Sequence, residues 1–406
     1  MIGLRRKTCI VVILIMIVNI CTYSFSDDLN EGQLVIKAFA SEKNDVTASV
    51  PVINAHAAIV MDANSGRILY SKNADQRRYI ASTTKIMTAI VTLENGNVDD
   101  IVTISKRAAS IKGSSINLKE GEKLKLKELL YGLLLNSGND AAIAIAEHIG
   151  GDVESFVDMM NKKASELDLV NTSFKTPHGL DREGHYSTAN ELAQMTRYAL
   201  RNPEFAAICK TVSTSITGRS LYNTNEMLGF YPGADGVKTG YTGQAGRCLV
   251  CSATRNGQRL ISVVLGCPTR TIRAESTRKI LDYAFKNFKQ YTLIKADEEI
   301  KKIPVIKGKE KFVSLVSNVE ITYPLTEEEF KSLKRVEEIP DCVKAPVDKG
   351  VNMGYVSFSV NGNVIAEAKL RTKDEVLHKG FLDYMFEIIK DWFQYMRPSM
   401  AVNLSV

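Results

Sequence analysis

Arg255-Asn256-Gly257 lies between two β-rich runs, Arg247 to Thr254 and Leu260 to Gly266. An Asn-Gly pair in that setting is the strongest short-range hairpin signal a sequence carries, because both turn residues must take a positive φ. A second hairpin signal, Asn64-Ser65-Gly66 inside Ala57 to Tyr70, stands far upstream. Between the two lie segments with helical apolar spacing, among them Ile86 to Leu93, Leu124 to Leu135 and Ala141 to His148. Strands at both ends with helices between predict one α/β domain: a mixed, mainly antiparallel sheet built from the two ends, with an all-helical subdomain inserted.

The punctuation refines this. Ser137-Gly138-Asn139 interrupts two helical runs, with Asp140 expected to cap the second, which ends at Gly150-Gly151. Asp152 is expected to cap a further helix, and Thr188 to Glu191 reads as a capping box. Ile272 to Phe288 is amphipathic and predicted to pack on the sheet. After Tyr291 short alternating strands, with Asn361-Gly362 as one turn, predict a small all-β sandwich that carries no catalytic constellation. Phe381 to Met396 puts Phe381, Met385, Ile388, Ile389, Trp392 and Met396 at helical spacing. A terminal, aromatic-rich helix after a finished domain reads as an in-plane membrane anchor. The expected division is therefore 1–26 signal peptide, 27–54 linker, 55–290 catalytic domain, 291–375 β-rich domain and 380–397 anchor helix.

Met1 to Lys7 is basic, Cys9 to Cys21 is apolar apart from Asn19, and Ser24-Phe25-Ser26 offers the small residues of a signal-peptidase site. This predicts export to the outer face of the cytoplasmic membrane or the cell wall. The formal net charge is +6, half of it on Arg5, Arg6 and Lys7, so nothing argues for a nucleic-acid partner. Cys209, Cys248, Cys251, Cys267 and Cys342 are odd in number, leaving at least one thiol unpaired within the chain. Cys248 and Cys251 have no second pair and no histidine cluster nearby, so neither a metal site nor a cofactor is expected.

The chemistry is expected at Ser82 and Lys85. Residues three apart share a helix face, which puts an amine beside a hydroxyl as base beside nucleophile. Burial would lower the ammonium pKa, and a second cation would lower it further. The spacing alone is weak, since Ser276 to Lys279 repeats it. What raises the first copy is the ordered sequel: Ser137-Gly138-Asn139, then Lys238-Thr239-Gly240, the latter tripeptide occurring once. This order of three motifs marks penicillin-binding proteins and class A β-lactamases. No GxSxG elbow or HExxH occurs, and the five histidines have no visible nucleophile partner.

With these motifs, and with Pro177-His178-Gly179-Leu180-Asp181, Asn223 to Leu228, Asp235 to Thr242 and Ala345 to Gly350, the chain resembles the D-alanyl-D-alanine carboxypeptidases among the low-molecular-weight penicillin-binding proteins. The resemblance implies a penicillin-binding-protein or β-lactamase-like transpeptidase domain that removes the terminal D-alanine from peptidoglycan stem peptides. Ser82 would be the nucleophile, Lys85 its base, Ser137 the proton relay to the leaving amine, and Asn139 the holder of the substrate amide. Lys238 would keep Lys85 neutral and draw in the substrate carboxylate, which Thr239 would bond, next to Gly240. The N–H groups of Ser82 and Tyr241 would form the oxyanion hole. Arg273 would bind the carboxylate, with Arg270 as competitor. β-Lactam antibiotics would acylate Ser82. A DD-endopeptidase or β-lactamase on the same fold is the nearest alternative, and an idle β-lactam sensor or wall scaffold the next.

Overall fold

The computed structural model describes residues 49–395. The expected signal segment lies outside these residues, as does most of the 27–54 linker. Strands β1 (Ala57–Asp62) and β2 (Ile68–Lys72) form the first hairpin. Far along the chain, past the ribbon of β5 (Ser213–Ile216) and β6 (Arg219–Tyr222), β7 (Ala234–Thr242), β8 (Gly246–Arg255) and β9 (Gln258–Cys267) follow one another in antiparallel register. The order β2-β1-β9-β8-β7 joins both ends of the domain in one antiparallel sheet, as the two hairpin signals require. Asn256 and Gly257 take φ of 49° and 80°, the sign of both that a two-residue hairpin turn needs.

Alternation along β1 sends side chains to two different cores. Ala57, Ile59 and Met61 join the core shared with the helices, and Ala58 and Val60 join the core under the helix Arg270–Asn287, where Ile280, Leu281 and Ala284 lie. The sheet is therefore apolar on both faces, and β7 is one edge of it. That edge, with no strand on its outer side among the described residues, borders the helical insert.

The insert contains α1 (Lys85–Asn95), α2 (Lys106–Ser110), α3 (Leu126–Leu134), α4 (Asn139–Gly150), α5 (Val153–Glu166), α6 (Ala189–Ala199) and α7 (Pro203–Lys210). Asp152 and Asn202 cap α5 and α7 as their sequences suggest. Three local expectations are corrected. The run beginning at Leu124 starts as strand β4 (Lys123–Lys125), paired with β3 (Ile101–Thr103), and turns helical at Leu126. Asp140 does not cap α4: the helix already includes Asn139, with Gly138 as its cap, because the carboxylate is taken by distant donors described below. The box at Thr188 is half formed, Thr188 accepting from Glu191 N while the Glu191 carboxylate accepts from Asn171 N and Thr172 Oγ1 instead.

After α8 (Arg270–Asn287) the chain becomes β-rich, as expected. Strands β10 (Lys289–Ile294) and β13 (Ile321–Leu325) form a ribbon. Strands β11 (Glu299–Ile306), β12 (Phe312–Ser317), β14 (Lys334–Glu338), β15 (Val343–Lys344), β16 (Asn352–Val360) and β17 (Asn363–Thr372) form a six-stranded sheet in the order β14-β16-β17-β12-β11-β15. Arg67 fastens this domain to the first hairpin. Its guanidinium donates to Pro324 O, pairs with Glu329, and lies 5.2 Å over Phe288 and 5.4 Å over Tyr323. Last comes the helix Phe381–Tyr395, whose large apolar side chains are exposed.

Candidate active site

The chain meets the edge of the sheet at Ala81–Thr84, one 3-10 turn that runs directly into α1. Ala81 has a φ of 48° there, a conformation that costs a residue with a Cβ roughly 1–2 kcal/mol. The surroundings fix it. Thr84 Oγ1 donates to Ala81 O at 2.8 Å and contacts His185 Nε2 at 2.8 Å. His185 Nδ1 accepts from Lys175 N, so the ring proton must sit on Nε2 and point at Thr84. Burial holds this ring neutral, at about 4.

The turn delivers Ser82 and Lys85 to one point, with Lys85 Nζ 3.1 Å from Ser82 Oγ. Nζ also donates to Asn139 Oδ1 and to His178 O, each at 2.8 Å. The lysine is wholly buried, and its pKa lies well below the ordinary 10.5, first through desolvation and then through the charge of Lys238. A neutral amine has two N–H bonds and one lone pair. Both an amide oxygen and a peptide oxygen only accept, so they take the two N–H bonds and leave the lone pair facing the single partner with a proton to give, Ser82 Oγ.

Asn139 is brought there by the Ser137-Gly138-Asn139 connection, where Ser137 has a φ of 63°. Its Nδ2 donates to Lys112 O at 2.9 Å, which orients Oδ1 toward Lys85. The adjoining Asp140 is the buttress. Its carboxylate accepts from Ser115 Oγ, Ile116 N and Leu118 N, gathering the 112–118 loop around the start of α4. Sequence reasoning missed this, since the donors are more than twenty residues away.

The opposite wall is β7. Gly240 is needed there: a Cβ would lie 3.0 Å from Ile80 O and 3.1 Å from both Ala81 Cβ and Ser82 N. Gly179 faces a tighter limit, its φ being 87° and a Cβ there falling 2.0 Å from Ala81 O. Lys238 is buried, and its Nζ donates to Thr239 O at 3.0 Å. Desolvation, with Arg273 adding to it, lowers its pKa to about 7. Thr239 Oγ1 meets Thr224 Oγ1 at 2.7 Å, and Thr224 also bonds Leu135 O, tying the β7 wall to the helix that leads into Ser137. Thr242 Oγ1 donates to Asp181 Oδ1 across the far end of the cleft.

The structure thus brings Ser82 and Asn139 each into direct contact with Lys85. Lys238 acts on them through its charge, and Thr239 and Gly240 adjoin them on the edge strand. Tyr241 follows on that strand, its exposed ring under the Arg247 guanidinium. Arg273 stands apart: it is buried behind β8, bonded to Cys248 O and to Glu226. The carbonyl of His178 belongs to the centre although its ring does not act; burial and the nearby Lys85 lower the ring to about 3. The segment Pro177 to Asp181 was the visible signal for this contact. Among the described residues no group of side chains is arranged to hold a metal ion.

A partly exposed serine beside a buried lysine at the edge of an antiparallel sheet, walled by a helical subdomain, defines a penicillin-binding type of acyl-transfer fold. A family model described as D-alanyl-D-alanine carboxypeptidase matches residues 44–269, and one described as penicillin-binding protein 5, C-terminal domain, matches residues 288–377. The D-alanyl-D-alanine carboxypeptidase DacF of Bacillus subtilis is 38% identical, covering 88% of this chain and 95% of its own length. DacC of Escherichia coli is 35% identical, covering 88% and 93%. Among solved structures, penicillin-binding protein 5 of Haemophilus influenzae superposes with a TM-score of 0.71 at 35% identity, covering 81% of this chain and 99% of its own. The chain belongs to the D-alanyl-D-alanine carboxypeptidase family.

Proposed function

We propose that the protein is a serine-type D-alanyl-D-alanine carboxypeptidase that trims peptidoglycan stem peptides through an acyl-enzyme on Ser82. One observation carries this reading: Lys85 Nζ spends its donors on Asn139 Oδ1 and His178 O and keeps its lone pair for Ser82. Ser82 Oγ attacks the carbonyl carbon between the two D-alanines while its proton passes to Lys85 Nζ. The N–H groups of Ser82 and Tyr241 receive the developing oxyanion, a contribution of about 2.7–4 kcal/mol per donor. The C–N bond breaks, the leaving nitrogen takes a proton through Ser137, and D-alanine departs. Water, giving a proton to Lys85, then opens the ester and regenerates Ser82. Asn139 holds the substrate amide, while Lys238 and Thr239 meet its carboxylate beside Gly240. A β-lactam presents the same carbonyl and carboxylate and acylates Ser82. Release of free D-alanine from a peptide ending in two D-alanines, absent in Ser82→Ala, tests the reading. Cross-link cleavage without such release replaces it with an endopeptidase.

Residues 1–26 serve in this reading as a signal peptide, 27–54 as a linker, 55–290 as the catalytic domain and 291–375 as the β-rich domain, working outside the cytoplasmic membrane. The terminal helix is its in-plane anchor. Phe381, Leu382, Ile388 and Trp392 are 57–82% exposed, an apolar face that a membrane surface would cover. Among the described residues no helix is long and apolar enough to cross a membrane. Deleting Phe381 to Val406 should move the protein to the soluble fraction with activity intact. Retention at the membrane assigns attachment to the N-terminal segment.

A further inference from the structure

The arginine that the family resemblance assigns to the substrate carboxylate already holds a carboxylate. Arg273 Nε and Nη2 fork onto Glu226 with contacts of 2.9, 2.7 and 2.5 Å, and Nη1 donates to Cys248 O at 3.3 Å. Of the five N–H bonds of a guanidinium, one on Nη1 is left. A second carboxylate cannot bind Arg273 through two bonds unless Glu226 lets go.

The two partners differ in freedom. The Arg273 side chain is 3% exposed and fixed under β8, while that of Glu226 is 32% exposed. Glu226 faces an open hollow of about 400 Å³ that it lines together with Asn223, Thr224, Thr271, Ala274 and Arg270. This hollow adjoins the substrate side of the edge strand: Thr224 Oγ1 touches Thr239 Oγ1, and Asn225 Nδ2 donates to Gly236 O at 2.8 Å. Arg270 is the first residue of α8 and forms no ion pair among the described residues. A cation in the first turn opposes the helix dipole, so helix stability does not account for it. Glu226 is therefore held by one guanidinium while a second lines the same hollow, unpaired among the described residues, and the hollow has the charge to take one more carboxylate.

We propose that Glu226 is an internal carboxylate that competes for Arg273 with the substrate carboxylate received by Lys238 and Thr239 on the adjoining edge strand, and that substrate entry moves it from Arg273 to Arg270. The proposal rests on the carboxypeptidase reading of the site. In the loaded state each arginine has one carboxylate, and no unpaired charge is buried. A peptide ending in a neutral amide has no group to drive the exchange, so the resident glutamate is a specificity element for a free carboxylate. The apparent affinity is lowered by the fraction of molecules in which Arg273 is available.

The test uses the full chain, a peptide ending in two D-alanines, and labelled penicillin. Glu226→Gln preserves size and an acceptor oxygen but removes the charge. It is expected to lower KM about threefold to tenfold with kcat unchanged, and to speed penicillin acylation by a similar factor. Arg270→Gln, which deprives the displaced glutamate of its partner, is expected to raise KM with kcat unchanged. A Glu226→Gln enzyme with raised or unaltered KM, or with reduced kcat, overturns the exchange and leaves Glu226 as a structural partner of Arg273. Wild type that neither releases D-alanine nor is acylated at Ser82 removes the underlying reading instead, so the two failures are distinct.

Discussion

The cleft and the C-terminal β-domain treat buried polar groups in opposite ways. Around the cleft Lys85, Lys238, Asp140, His178, His185 and Arg273 are all buried, whereas beyond residue 290 the buried polar residues among those described are Ser317, Thr326 and Thr372. Burying an ionisable group is unfavourable unless it is paired or neutralised, and a protein concentrates such groups where a shifted pKa has a use. The cleft satisfies its buried groups with long-range hydrogen bonds and keeps two lysines poised to lose protons. The β-domain uses ordinary alternation, as in β17, where every second residue from Ala366 to Thr372 is buried. The lesson is that buried ionisable groups gather where a shifted pKa is used and are left out where only packing is needed.

Substitutions can break this contrast. Ser82→Ala should abolish D-alanine release and penicillin labelling, a loss of about 10³-fold or more, with unchanged thermal unfolding. Residual labelling at another residue would sink the assignment of the nucleophile. Gly240→Ala puts a Cβ 3.0–3.1 Å from Ile80 O and the Ser82 backbone, so Ser82 must give way slightly and acylation should slow severalfold, up to about 10-fold. An alanine enzyme of full activity would show that the edge strand does not set the position of Ser82.

Lys238 sharpens the contrast through pH. Acylation should rise as Lys85 loses its proton and fall as Lys238 loses its own near pH 7, the value to which burial brings it. For stability the sign is opposite to that of a salt-bridged lysine. The native state binds fewer protons than the unfolded chain between about pH 7 and the ordinary 10.5, so the contribution of Lys238 improves as pH rises through that window. Lys238→Met should therefore raise Tm at neutral pH, by about 2–4 °C for each kcal/mol gained, while acylation drops. A variant with lowered Tm at pH 7 would contradict this balance. The smallest effect on activity is expected in the other region. Arg67→Ala removes the contacts to Pro324 O and Glu329, at a cost of about 1.5–3 kcal/mol read by chemical unfolding, with penicillin acylation unaltered. A change in acylation rate would mean that the β-domain reaches into the cleft.

Much of this architecture was legible because its signals are local. Asn256-Gly257 and Asn361-Gly362 both take the paired positive φ values their identities suggest, and Asp152 caps its helix through Ser155 N, three residues on. Asp140 was misread because its local option, a cap, lost to backbone donors at Ile116 and Leu118. The substrate role of Arg273 is implied by the family resemblance alone, while the presence of Glu226 opposite it is a fact of packing between segments 47 residues apart.

By itself the sequence determined the two hairpins of the sheet, most helix starts and the spacing that sets Lys85 beside Ser82, because each depends on backbone preferences or spacing within one or two turns. Only the tertiary structure decided that Lys85 has two acceptors and a lone pair to offer, that Lys238 presses on it, and that Glu226 holds Arg273. Those outcomes depend on desolvation and on hydrogen-bond partners from distant segments, and such quantities exist only once the chain has closed around them.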